Sequence, residues 1–171
     1  MKPARAPRAQ RVPVPSDEPL LGARRYDYAD AFTIRVHQRD ERSAEQFARY
    51  ALEHAPRPLQ LTVSIAQRKL LRLRLSPRGA PDYLAGWKVV TSEQDVIQLE
   101  ANSPLLDAML VGRRAETSGV TLATYVFFNR PAPARVLWKI VSPVHRRVAA
   151  YLLERAAAAG DGVNPLDAMS Q

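Results

Sequence analysis

Four strand-like segments separated by short polar breaks lie at residues 86–91, 95–102, 105–115 and 120–128. Breaks of a few residues join antiparallel neighbours, because a parallel connection needs a dozen residues or more. The pattern therefore predicts an antiparallel meander, with a hairpin turn at residues 117–119. Both faces of segment 120–128 are largely apolar, which predicts a strand that is covered on both sides.

A further strand and two helices are predicted before this meander. Phe32, Ile34 and Val36 alternate with polar residues and predict the first strand. Ser43 and Gln46 have the spacing of a capping box, which predicts the start of a helix. Residues 59–75 fit either a helix or two strands, and the helix-forming residues at their centre favour a helix.

Residues 132–157 predict a long C-terminal helix. Pro143 lies within it and predicts a kink, or a break near Ser142, because proline removes a helical hydrogen bond. The large apolar residues fall on one stripe, which we expect to be buried: Leu137, Ile140, Val141, Val144, Val148, Tyr151 and Leu152.

The two ends of the chain are poor in the residues that build a core. Residues 1–24 are basic and rich in proline, so we expect a disordered tail. Residues 159–171 are expected to form a loose C-terminal tail. One α+β domain is predicted between them, over residues 25–158, with two helices inserted after the first strand.

The net charge of +8 is concentrated in the N-terminal tail and in residues 57–78, which hold six basic residues and no acidic one. Such a run is usually a solvated helix face, but it also permits contact with the phosphates of nucleic acid or of an anionic membrane. The chain has no cysteine and no apolar run long enough for a signal peptide or a membrane span. We therefore expect a soluble, cytoplasmic protein.

Residues 124–129, at the end of the last strand, and residues 140–147, in the final helix, carry a family resemblance. With the order of the elements, they resemble the helix-grip (SRPBCC) superfamily of START lipid-transfer domains, the birch-pollen allergen fold and polyketide cyclases. More narrowly, they are similar to a bacterial domain-of-unknown-function family within it. The resemblance covers about residues 26–157. It implies a curved antiparallel β-sheet wrapped around the long C-terminal helix, with an apolar cleft between them.

Four residues are candidates for binding a ligand in this cleft. His145 and Trp138 lie at one edge of the predicted helix stripe, where a histidine can bind a ligand or transfer a proton. Trp87 and Tyr125 can line a pocket with their apolar rings and polar ends. The competing interpretation is that His145 lies at the boundary of the core and that the aromatic residues only fill it. Glu100 and Asp107, on adjacent strands, are expected on the solvent face.

The sequence excludes several classes of site and leaves three functions open. The histidines are far apart in sequence and cysteine is absent, so we expect no metal site and no cofactor. No phosphate-binding glycine loop or nucleophile elbow occurs. The leading hypothesis is a protein that binds a hydrophobic small molecule. The alternatives are a cyclase- or dehydratase-type enzyme that uses His145, and a protein that binds a phosphate-rich partner through its basic segments.

Overall fold

Seven antiparallel strands form one curved sheet, and one long and two short helices cover its inner face. The computed structural model describes residues 7–37, 40–77, 79–115 and 119–160. The sheet order is β1-β2-β7-β6-β5-β4-β3. The strands are β1 (Gln10–Val12), β2 (Tyr28–Arg35), β3 (Tyr83–Leu84), β4 (Trp87–Ser92), β5 (Val96–Asn102), β6 (Leu106–Ala115) and β7 (Gly119–Phe128), and the helices are α1 (Ala44–Glu53), α2 (Arg57–Ile65) and α3 (Pro131–Gly160).

The predicted meander and fold class are confirmed. Strands β4 to β7 pair with their neighbours in chain order, and β7 lies between β6 and β2. The two helices α1 and α2 follow β2, and α3 packs on β2 and β7. This is the arrangement expected of a helix-grip fold. The predicted turn at residues 117–119 lies mostly outside the described residues.

The capping box at the start of α1 is confirmed, and the segment after it differs from the prediction. Ser43 accepts a hydrogen bond from the Gln46 backbone N–H, and the Gln46 side chain accepts one from the Ser43 N–H. Instead of one helix over residues 59–75, α2 ends at Ile65, and a π-helical turn follows at Ala66–Leu70. The chain then leaves the helix, and Leu71 and Leu73 are buried in the core.

Helix α3 is continuous through Pro143, so the predicted break near Ser142 is not observed. The predicted stripe is also wrong in part, since Ile140, Val144 and Tyr151 are exposed. Relative to the predicted stripe, the buried face of α3 is rotated about the helix axis by about 100°, which is the angle between successive residues. Small side chains dominate it and allow the helix to approach the sheet closely: Ala134, Trp138, Ser142, Ala149, Leu152, Leu153, Ala156 and Ala157 are its buried members.

The described part of the N-terminal segment packs on the sheet, so the predicted disordered tail is wrong for residues 7–24. Strand β1 pairs with β2, and Val14, Leu20 and Leu21 pack on the outer face of the sheet. Glu18 is buried there and forms an ion pair of 2.5 Å with Arg113. The N-terminal segment thus shields the apolar outer face of the sheet from water. Its proline residues are compatible with the edge position of β1, because an edge strand need not donate all of its backbone hydrogen bonds. Residues 1–6 and 161–171 lie outside the described residues.

None of the helices in the described part of the chain is long and apolar enough to cross a lipid bilayer.

Candidate functional site

A cavity of about 180 Å³ lies between the inner face of the sheet and helices α2 and α3. Its walls are almost entirely apolar and include Leu110 and Leu122 of the sheet, Val63 of α2 and Val148 of α3. Three of the four predicted site residues line it. They are His145, Trp138 and Trp87.

Tyr125, the fourth predicted residue, lies on the opposite face of the sheet. Side chains alternate along β7, so Thr124 faces the cavity while Tyr125 faces outwards. Its ring packs 5.4 Å from the ring of Tyr26, beneath the N-terminal segment. Burial, with the charge of Glu18 nearby, raises the pKa of Tyr125 to about 12. Tyr125 therefore belongs to the outer core and does not touch the cavity.

A buried carboxylate lies next to His145. Asp30 of β2 is 1% exposed, and its Oδ1 lies 3.5 Å from Nε2 of His145, an ion-pair distance longer than an ordinary hydrogen bond. The Tyr28 hydroxyl donates a hydrogen bond of 2.5 Å to the other oxygen of Asp30. Thr124 is the cross-strand neighbour of Asp30. These contacts hold the Asp30 carboxylate next to the imidazole at the cavity wall.

The charge state of Asp30 follows from this environment. Burial alone raises the pKa of Asp30, but His145, the Tyr28 hydroxyl and Thr124 together lower it below its usual value. Burial and the hydrogen bond to Asp30 raise the pKa of Tyr28 to about 12. Asp30 is therefore an anion at neutral pH and Tyr28 is a neutral donor.

Trp138 connects this polar cluster to the apolar cavity. Its ring centroid lies 5.2 Å from that of Tyr28, edge-on, and 5.5 Å from that of His145. Its Nε1–H is buried and has no hydrogen-bond partner among the described residues. A buried donor that lacks a partner costs about 1–3 kcal/mol. An acceptor that reached this nitrogen would recover that free energy.

Helix α2 forms the outer wall of the cavity and is weakly anchored. It has no buried residue, although Leu59 and Val63 line the cavity. The π-helical turn follows it, and Arg72 then adopts a left-handed conformation with φ of 54°. Pi-helical turns occur often at functional sites. The cavity is thus closed on this side by a segment with few tertiary contacts.

Glu100 and Asp107, which were expected on the solvent face, do not line the cavity but are half-buried. They form ion pairs with Arg24 of the N-terminal segment at 3.6 and 3.5 Å. The carboxylate at the site is Asp30, which the sequence prediction missed. Its signal was the alternation of β2: Asp30 is two residues before Phe32 and therefore shares its inward face.

Comparisons with protein-family models, curated proteins and solved structures find no match. Within the described ranges, no group of three or more acidic or histidine side chains could hold a metal ion. The site is therefore interpreted from its own geometry: an apolar cavity with a Tyr28–Asp30–His145 cluster and an unpaired indole donor at one end.

Proposed function

We propose that this protein binds an apolar small molecule in the cavity between the sheet and helices α2 and α3. The observation that carries the proposal is a cavity of about 180 Å³ with apolar walls. Cavities of about 150 Å³ with aliphatic walls stay dry and accept molecules of the size of benzene. A ligand that fills it would remove these apolar walls from water, at about 25 cal/mol per Å² of apolar surface.

The polar cluster narrows the proposed ligand to an apolar molecule with one hydrogen-bond acceptor, such as a carbonyl group. The Trp138 Nε1–H is a donor only, and no described residue accepts a hydrogen bond from it. A purely hydrocarbon ligand would leave this donor unsatisfied. An acceptor placed beside Trp138 and His145 would orient the ligand, with its apolar part towards Leu110 and Val148.

The architecture gives separate support. The helix-grip resemblance of residues 26–157 implies an apolar cleft between the sheet and the long helix, and we propose membership of that superfamily on the same ground. The further expectations, a bacterial and cytoplasmic protein without a cofactor, remain part of this proposal.

The proposal is tested by native mass spectrometry of the purified full chain, followed by solvent extraction and identification of any bound molecule. The control variant is Ala108→Leu, since Ala108 lines the cavity and a larger side chain there reduces its volume. We expect a bound apolar compound in the wild type and its loss in the variant. If neither protein binds the extracted compounds or added acetophenone, the proposal is wrong.

Acid–base catalysis on the bound molecule is the second candidate function, and the Asp30–His145 pair favours it. A carboxylate behind an imidazole orients the ring and stabilises the imidazolium that forms when it takes a proton. A cyclase or dehydratase would use His145 in this way. The test is deuterium incorporation from heavy water into the methyl group of acetophenone. Exchange that depends on the protein and is lost in His145→Gln supports it, and equal exchange in both proteins refutes it.

A further inference from the structure

The outward sides of α2 and α3 carry large apolar residues that nothing covers in the described structure. On α2, Leu61 and Ile65 are 64% and 51% exposed, and they lie opposite the cavity-lining Leu59 and Val63. Single exposed apolar residues are ordinary, but these are spaced four apart and form one stripe.

Helix α3 repeats this arrangement. Val136 and Ile140 are spaced four apart and are 64% and 69% exposed, whereas the next residue in this series, Val144, lines the cavity. Val136 lies about 200° around the helix from Trp138, so it points away from the cavity. We define the outer helix face by its exposed apolar residues, which are Leu61, Ile65, Leu70, Val136 and Ile140.

The charged residues of the two stretches that carry this face are all basic. Residues 57–77 contain no Asp or Glu, and neither do residues 131–153. The exposed basic side chains in these two stretches are Arg57, Arg68, Lys69, Arg72, Arg74, Arg135, Lys139 and Arg147. Aliphatic side chains surrounded by basic ones are typical of a helical surface that lies in the interface of an anionic membrane.

We propose that the outer helix face is a docking surface for an anionic lipid bilayer. Nucleic acid would use the basic residues but would leave the aliphatic residues without apolar contact, and residues 57–77 contain no aromatic side chain for base stacking. A second copy of the chain would bring two basic surfaces together, and like charges repel. A bilayer with anionic headgroups complements both features, because it offers negative charge at its surface and apolar acyl chains below.

The part of this surface on α2 lies over the candidate ligand cavity. Helix α2 separates the two, with its inner side on the cavity and its outer side on the proposed membrane surface. An apolar ligand would thus enter from the bilayer and avoid the aqueous phase. The docking inference goes beyond ligand binding and stands without it, because the exposed residues and the charge are independent of what fills the cavity.

The test is flotation of the full chain with phosphatidylcholine vesicles that contain about a third phosphatidylglycerol. We expect binding that weakens as salt is raised, and no binding to pure phosphatidylcholine. The variants Ile140→Ser and Leu61→Ser should each lower the partition coefficient about fivefold. Lys139→Gln and Arg147→Gln should each lower it by a similar factor. These positions are exposed, so thermal melts should show folded variants.

Matched controls lie on β4, where Val90 is 47% exposed and Lys88 is exposed. Val90→Ser and Lys88→Gln should leave vesicle binding unchanged. The inference is overturned if the wild type does not bind anionic vesicles at low salt. It is also overturned if the control variants lose as much vesicle binding as Ile140→Ser. A wild-type protein that does not bind vesicles, but forms a dimer or a DNA complex that Ile140→Ser dissociates, would overturn it as well. Ala108→Leu, which reduces the cavity, should retain vesicle binding, so this test is separate from that of ligand binding.

Discussion

Tyr28→Phe is the most direct perturbation of the polar cluster at the cavity. The substitution removes one hydroxyl, which donates a hydrogen bond of 2.5 Å to the buried carboxylate of Asp30. A hydrogen bond to a charged group contributes about 1.5–3 kcal/mol. We expect Tyr28→Phe to lower the free energy of unfolding by about 2 kcal/mol at pH 7. In a chain of 171 residues this corresponds to a fall of about 4–8 °C in Tm.

The stability lost in Tyr28→Phe should decrease as the pH is lowered. The folded-state pKa of Asp30 is below its usual value, so its ionised form contributes stability above the ordinary carboxyl pKa of about 3.9. That contribution disappears as the pH falls through the lower, folded-state pKa. The difference in the free energy of unfolding between the wild type and Tyr28→Phe should therefore be largest at neutral pH and should decrease in this acidic range.

The assay is urea unfolding at a series of pH values, with Tyr125→Phe as the control. The Tyr125 hydroxyl is buried on the outer face of the sheet and has no partner among the described residues. Its removal should leave stability unchanged or raise it by up to about 1 kcal/mol. If Tyr28→Phe costs less than about 0.5 kcal/mol, or if both variants lose equally, the assigned role of Asp30 is wrong.

One deletion and two further substitutions test the fold. Deleting residues 1–22 should lower Tm by several degrees, because it removes β1 and the ion pair of Glu18 with Arg113; an unchanged melt would mean that the segment does not pack on the sheet. Pro143→Ala should raise stability by about 1–2 kcal/mol in thermal melts, since α3 is continuous there; a loss would contradict this. Gly86→Ala should destabilise by at least about 2 kcal/mol in urea, because φ is +90° and the new Cβ would lie 2.9 Å from the Ser76 carbonyl; a neutral result would refute it.

The sheet could be predicted because its signals are local. Alternation with period two and short polar breaks define β4 to β7 without reference to distant residues. The covered faces of β7 also follow from its composition. The sequence did not predict that the N-terminal segment packs on the outer face of the sheet. The ion pair that holds this segment joins Glu18 and Arg113, which are 95 residues apart in the chain, so no local pattern indicates it.

The site was predicted only in part, for physical reasons that particular residues show. His145 and Trp138 were found because helical spacing places them together. Asp30 was missed because a carboxylate usually lies in water, and its partner His145 is on the final helix. Helix α3 was assigned the wrong buried face because ranking residues by hydrophobicity favours Ile140 over alanine, whereas close packing on a sheet favours the smaller side chain.

The central claim, that the cavity binds an apolar ligand with an acceptor group, is tested most directly by methyl NMR during a titration with acetophenone. We predict saturable shifts at the methyl groups of Leu110 and Val148 and at the indole N–H of Trp138, all of which line the cavity, and their loss in Ala108→Leu. Methyl groups under the N-terminal segment, such as those of Val111, should not move. No saturable shifts at the cavity residues, or equal shifts at Val111, would contradict the claim.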